Sequence, residues 1–137
     1  KANLEAKDNY GDTPLGFASR TSVEAVKHLV GAKANLESNN HRGNTPLAFA
    51  SYHGNVDAVK YLVEAKANLE AKDNYGDTPL GFASRTSVEA VKHLVGAKAN
   101  LESNNHRGNT PLAFASYHGN VDAVKYLVEA KANLEAK

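Results

Sequence analysis

Apolar residues recur along the chain in short stripes separated by polar, glycine-bearing turns. Val23, Val26, Leu29 and Val30 stand at i, i+3, i+6 and i+7, which places them on one helical face about 120° wide. Lys27 and His28 fall beside or outside that face. Ser22 precedes the stripe as a helix cap, and Glu24 lies early, where the helix dipole favours a carboxylate. The scheme returns with Asn55 as cap and Val56, Val59, Leu62 and Val63 as stripe. Ahead of each stripe a shorter helix is predicted. Thr13 offers a capping hydroxyl, Pro14 occupies the first turn, where a missing N–H costs nothing, and the helix runs to about Arg20. Before it, Asn9-Tyr10-Gly11-Asp12 has the composition of a tight turn and predicts a hairpin tip. Each unit therefore reads turn, helix, turn, helix. Two helices of roughly eight to ten residues cannot bury a core alone, so each pair must bury its apolar face against the next pair.

The pattern repeats at two levels. Residues 1–65 and 66–130 are identical at all 65 positions, and 131–137 repeats 1–7. Within one unit, Thr13-Pro14-Leu15-Gly16-Phe17-Ala18-Ser19 is answered 32 residues later by Thr45-Pro46-Leu47-Ala48-Phe49-Ala50-Ser51. The chain divides into repeats 8–39, 40–72, 73–104 and 105–137, preceded by the tail of another repeat, 1–7. Surface positions drift apart after an ancient duplication, so full identity means that the copying was recent or deliberate. A recently expanded natural array, an engineered tandem or a sequence averaged over repeats would each produce it. The absence of an initial Met reads as a processed product, a fragment or a window cut from a longer array.

Composition changes this picture little. With 16 Lys and Arg against 15 Asp and Glu, the chain has no excess positive field to draw nucleic acid or anionic lipid, and neither is expected as a partner. No apolar run approaches the roughly 18 residues of a membrane span, so no membrane partner is expected and the chain reads as soluble; its compartment stays open, an intracellular one being favoured. Cysteine is absent, which excludes disulfides, thiolate metal sites and cysteine nucleophiles. The six histidines, His28, His41, His53, His93, His106 and His118, form no i, i+4 pair and carry no metal-ligand spacing. His28 matches Tyr61 in the following repeat and is expected to pack against a neighbour, whereas His41 and His53 are expected at the surface. No G-x-S-x-G elbow or phosphate-binding glycine loop occurs. No catalytic residue, metal or cofactor is expected, and the chain reads as non-enzymatic.

Asp8, Gly11, Thr13-Pro14-Leu15, Ala18 and Val26-Lys27-His28-Leu29 together resemble the ankyrin repeat, and the resemblance recurs four times over the whole chain. It implies an all-α solenoid: helix-turn-helix pairs stacked into a right-handed curved array, with β-hairpin-like turns protruding. The chain departs from the family in three places. Gly16 or Ala48 stands where the family has His after Thr-Pro-Leu, and a glycine inside a helix costs about 1 kcal/mol relative to alanine. Lys33 and Lys66 stand where the family has a Gly of positive φ, which strains a side-chain-bearing residue by about 1 kcal/mol. The odd repeats also lack one residue between their helices, Arg20-Thr21-Ser22 standing against Tyr52-His53-Gly54-Asn55. A consensus design would restore the favoured residues, so the unit looks natural, copied in tandem.

The resemblance further implies a protein-interaction scaffold whose partner is held on a concave face of hairpin tips and first helices. Carried onto this sequence, that face presents Asn9, Tyr10, Asp12, Arg20 and Thr21, then His41, Arg42, Asn44, Tyr52 and His53. The copies continue it with Asn74, Tyr75, Asp77 and Arg85, then His106, Arg107, Asn109, Tyr117 and His118. A second expectation concerns the ends. Solenoids usually finish in polar-faced caps, and here both terminal repeats carry the same apolar stripe as the inner ones. Head-to-tail self-association, or continuation as a longer structural array, follows as the alternative role.

Overall fold

A computed structural model describes the backbone of residues 3–135 and the side chains of residues 3–131. Among the described residues there are eight helices and no strand: α1 Pro14–Thr21, α2 Val23–Gly31, α3 Pro46–Tyr52, α4 Val56–Glu64, α5 Pro79–Thr86, α6 Val88–Gly96, α7 Pro111–Tyr117 and α8 Val121–Glu135. The pairs α1/α2, α3/α4, α5/α6 and α7/α8 stack in chain order. First helices lie against first helices and second helices against second helices, in two layers.

Each element begins where its capping chemistry puts it. The Thr13 hydroxyl accepts from Gly16 N at 3.2 Å, and Pro14 opens α1. Thr45, Thr78 and Thr110 repeat the arrangement. Ser22 caps α2 and Asn55 caps α4, accepting from the amides of Ala25 and Ala58. In the turns, Asp8 Oδ1 accepts from the amides of Tyr10 and Asp12, both at 2.9 Å. Successive tips are joined by single backbone bonds, His41 N to Tyr10 O, Asn74 N to Arg42 O and His106 N to Tyr75 O. The tips thus form a hairpin-like ladder without regular strands.

The core runs lengthwise between the two layers. Leu15, Leu47 and Leu80 enter it from the first helices, and Val26, Val59, Leu62, Val91 and Leu94 from the second. Of the predicted stripes, Val59 and Leu62 are fully buried while Val56 and Val63 stay half-buried at the rim, and Ala58 completes the buried face. His28 does not pack as expected: it is exposed, and its copy His93 is only half-buried. The corresponding Tyr61 is half-buried and receives Lys27 Nζ from the preceding pair 6.0 Å from its ring centroid.

At Gly16 and Gly81, where the family has histidine, an aromatic ring of the following repeat lies against the helix: a Cβ would meet the Phe49 ring at 3.6 Å and the Phe114 ring at 3.4 Å, ordinary contact distances, so the space beside the helix does not by itself require glycine. The residue missing between helices in the odd repeats is compensated too. Asn55 Nδ2 donates to Ser19 O at 3.1 Å and Asn120 Nδ2 to Ser84 O at 3.2 Å. At the junction between these, the hydroxyl of Thr86 donates to Ser51 O at 2.8 Å. Two different side chains therefore satisfy equivalent carbonyls at the ends of successive first helices.

Lys33, Lys66 and Lys98 take the left-handed conformation at φ 76°, 73° and 79°, closing α2, α4 and α6 with a reversal in which Ala34, Ala67 and Ala99 N bond back to Leu29, Leu62 and Leu94 O. The same segment behaves differently at the far end. Residues 121–135 have the sequence of 56–70, yet α8 runs through all 15 of them while α4 stops after nine. Ala-Lys-Ala-Asn-Leu-Glu is mostly good helix former, so the reversal at Lys33, Lys66 and Lys98, each succeeded by a further helix pair, is not set by local preference alone. Replacing Lys66 by Gly should raise the unfolding free energy in guanidinium by up to about 1 kcal/mol through relief of the positive φ, whereas Lys66→Ala should give no such gain; equal effects of the two would contradict this account.

Candidate functional site

A groove of about 400 Å³ is lined by residues of the turn tips and of the ends of the first helices. Its walls are built at i, i+3 and i+4 spacings, which bring side chains to one helical face. Phe49, Tyr52 and His53 share the end of α3: Tyr52 and His53 meet edge to face at 5.0 Å, and Phe49 stacks on His53 at 6.3 Å. Tyr52 also meets Phe82 of the next pair edge to face at 5.4 Å. The guanidinium of Arg85 lies 5.4 Å from the Tyr52 ring centroid and 5.9 Å from that of Phe114, and Arg20 sits likewise near Phe17 and Phe49. The result is a ladder of aromatic rings and guanidinium planes along the array, with the cation–π attraction expected of such pairs.

Ten of the residues expected on the binding face line this groove: Tyr10, Asp12, Arg20, Arg42, Asn44, Tyr52, His53, Tyr75, Asp77 and Arg85. Tyr10 and Tyr75 are 73% and 67% exposed at its rim. Asp12 instead is buried and accepts from Asn40 Nδ2 at 2.9 Å, as Asp77 does from Asn105, so both carboxylates tie neighbouring tips together. His41 and His106 lie against Gly11 and Gly76, where a Cβ would come within 2.6 and 2.7 Å of the imidazole. Asn74 Nδ2 donates to His41 O. Asn9, Arg107, Tyr117 and His118 are exposed on the end repeats, Asn109 is half-buried there, and none of them lines the groove. The lining also includes Asn40, Phe49, Asp73 and Phe82, which the sequence reading did not select. For Phe49 the signal was its i, i+3 spacing to Tyr52. Two buried polar atoms, Asn44 Oδ1 and Arg85 Nε, have no hydrogen-bond partner among the described residues.

Three arginines and three aspartates line the groove, so it carries no single sign of charge. Burial, with a smaller contribution from the nearby Arg20 cation, holds His53 below its ordinary value of 6.5. Burial pushes the Asp77 carboxyl up; the Asn105 hydrogen bond opposes this, Asp73 adds to it, and Arg85 and His106 oppose it. Among the described residues no cluster of three acidic or histidine side chains could hold a metal ion, and no helix is long and apolar enough to cross a membrane.

The ankyrin-repeat family model matches in three copies, over residues 1–73, 18–105 and 69–137. This chain belongs to the ankyrin-repeat family. Its paired, stacked helices are those of an all-α ankyrin solenoid, and ankyrin repeats are in general protein-interaction modules rather than catalysts. No curated protein matches the sequence.

The lowered His53 sets a sign for acid conditions. The unfolded chain takes up this proton at a higher pH than the folded one, so the His53 contribution lowers folding stability as pH falls through 6.5. An NMR titration should place the His53 midpoint below 6.5, and Arg20→Gln should move it only part of the way back, because burial is the larger cause. A midpoint at or above 6.5 would refute the assignment.

Proposed function

We propose that this ankyrin solenoid is a non-enzymatic scaffold that holds a protein partner on the concave face formed by its tips and first helices. In this reading the units 8–39, 40–72, 73–104 and 105–137 each contribute one tip and one first helix to a continuous surface. The observation that carries it is the groove itself, where exposed Tyr10, Tyr52 and Tyr75 stand around Arg20, Arg42 and Arg85. Tyrosine and arginine dominate binding hot spots because a large flat group is desolvated at low cost and keeps a polar handle. Tyr52 and Arg85 are already held by ring and guanidinium neighbours, so little rotamer freedom remains to be lost on binding. Arg85 Nε and Asn44 Oδ1 leave a donor and an acceptor unmet. The mixed charge favours a polypeptide surface with both signs over a polyanion.

Protein ligands selected from a display library against the immobilised chain should lose at least about tenfold in affinity, about 1.4 kcal/mol, toward Tyr75→Ala or Arg42→Ala. Lys60→Ala and Lys125→Ala, on the exposed side of the second helices, should leave affinity unchanged. Equal losses at both sets would place binding elsewhere.

A further inference from the structure

A guanidinium group carries five N–H donors and no acceptor. Among the described residues, the guanidinium groups of Arg20, Arg42 and Arg85 donate to no side chain or backbone carbonyl, and no carboxylate lies within 4.0 Å of them. Arg85 Nε is buried in that condition. Neighbours are present on both sides of two of the three. The pair that carries Arg85 lies between α3/α4 and α7/α8, and the tip that carries Arg42 is bonded to those of Tyr10 and Tyr75. The stack therefore supplies these cations with no counter-charge of its own. The aspartates of the same groove are engaged. Asp12 accepts from Asn40 Nδ2 and Asp77 from Asn105 Nδ2, both at 2.9 Å, and Asp73 Oδ1 accepts from the amides of Tyr75 and Asp77. What the groove has left to offer is cationic donors and one buried acceptor, Asn44 Oδ1.

The rings decide how those donors can be met. Arg20 lies over Phe17 and Phe49 at 5.7 and 6.0 Å from their centroids, and Arg85 over Tyr52 and Phe114 at 5.4 and 5.9 Å. A guanidinium held over rings still presents its N–H edge, the geometry that takes a carboxylate through two parallel bonds. Arg20 and Arg85 are equivalent residues of α1 and α5, with α3 packed between those helices. Helices in contact lie about 8–10 Å apart, so equivalent points on α1 and α5 are separated by about 16–20 Å. An extended chain, at about 3.3 Å per residue, covers that in about five or six residues. We infer, on the reading of this groove as the partner-binding face, that it holds an extended peptide bearing two carboxylates about five or six residues apart, one taken by Arg20 and the other by Arg85. Arg42 faces the same peptide from the tip between them, and Asn44 Oδ1 accepts one of its backbone N–H groups. Asp12, Asp73 and Asp77 disfavour a continuous acidic run or a nucleic acid, whose closely spaced charges they would repel.

Random peptides of about twelve residues, long enough to span both arginines, displayed on phage and selected against the immobilised chain, supply the probe. Recovered peptides should be enriched in Asp or Glu pairs at a separation of about five or six residues. In fluorescence anisotropy, replacing either acidic residue of such a peptide by its amide should weaken binding at least about tenfold, and Arg85→Lys, which keeps the charge and loses the planar fork, should do the same. Arg20→Lys repeats the test at an exposed position where folding is not at stake. Peptides that lose affinity toward Tyr75→Ala yet carry no acidic pair, or that are indifferent to both lysine substitutions, would overturn this inference and leave the scaffold reading standing. Peptides indifferent to Tyr75→Ala as well, or a selection that recovers none, would overturn both. Polyglutamate or a single-stranded oligothymidylate that displaces the peptide as readily as the free peptide does would overturn the spaced-carboxylate assignment.

Discussion

A helix of seven to nine residues, the length of α1 to α7, is marginal in water and exposes its apolar side along its whole length. Two such helices shield only part of each other. What remains of Leu47 and Val59 is taken out of water by the next pair: they are 1% and 0% exposed, while their copies Leu112 and Val124 in the last described pair are 39% exposed and half-buried. Every other feature of the molecule serves this contact. The Thr-Pro caps start α1, α3, α5 and α7 at equivalent places. The tip-to-tip backbone bonds fix the spacing, and Phe49 and Phe114 lie against the helices that carry Gly16 and Gly81.

The duplicated sequence shows how far this dependence reaches, since it puts identical residues into different surroundings. Lys66 takes a strained left-handed conformation after α4, while the same sequence continues as helix in α8. Local preference alone does not set the backbone at this point. The groove follows from the same stacking: the Tyr52, Phe82 and Arg85 cluster is assembled from two successive pairs, so neither pair could make it alone.

Much of the fold could be read from the residues. The cap hydroxyls and the first-turn prolines stand where local chemistry placed them, because each depends on residues close in sequence. Contacts between repeats were less legible. Nothing in Arg20-Thr21-Ser22 announces that a threonine hydroxyl at this site does the work of the asparagine amide in the alternate repeat. Asp12 carries a tip residue's composition and is nonetheless buried, because Asn40 arrives from the following turn. His28 was expected to pack against a neighbour because it takes the position of Tyr61; the smaller imidazole is exposed, and its copy His93 is half-buried. For the groove, tyrosine and arginine were recognisable as binding types, but Phe49 and Phe82 were not singled out and are brought to it by the packing of successive pairs.

The central claim is that stability resides between repeats rather than within them. Equilibrium unfolding of arrays containing one, two and three copies of the 65-residue unit measures it most directly. If the account is right, the denaturation midpoint rises steeply from one unit to two and again to three, because each added unit brings a new junction along with its own unfavourable ordering. A single unit as stable as the longer arrays would mean that the junctions between units add nothing, and the account would fail.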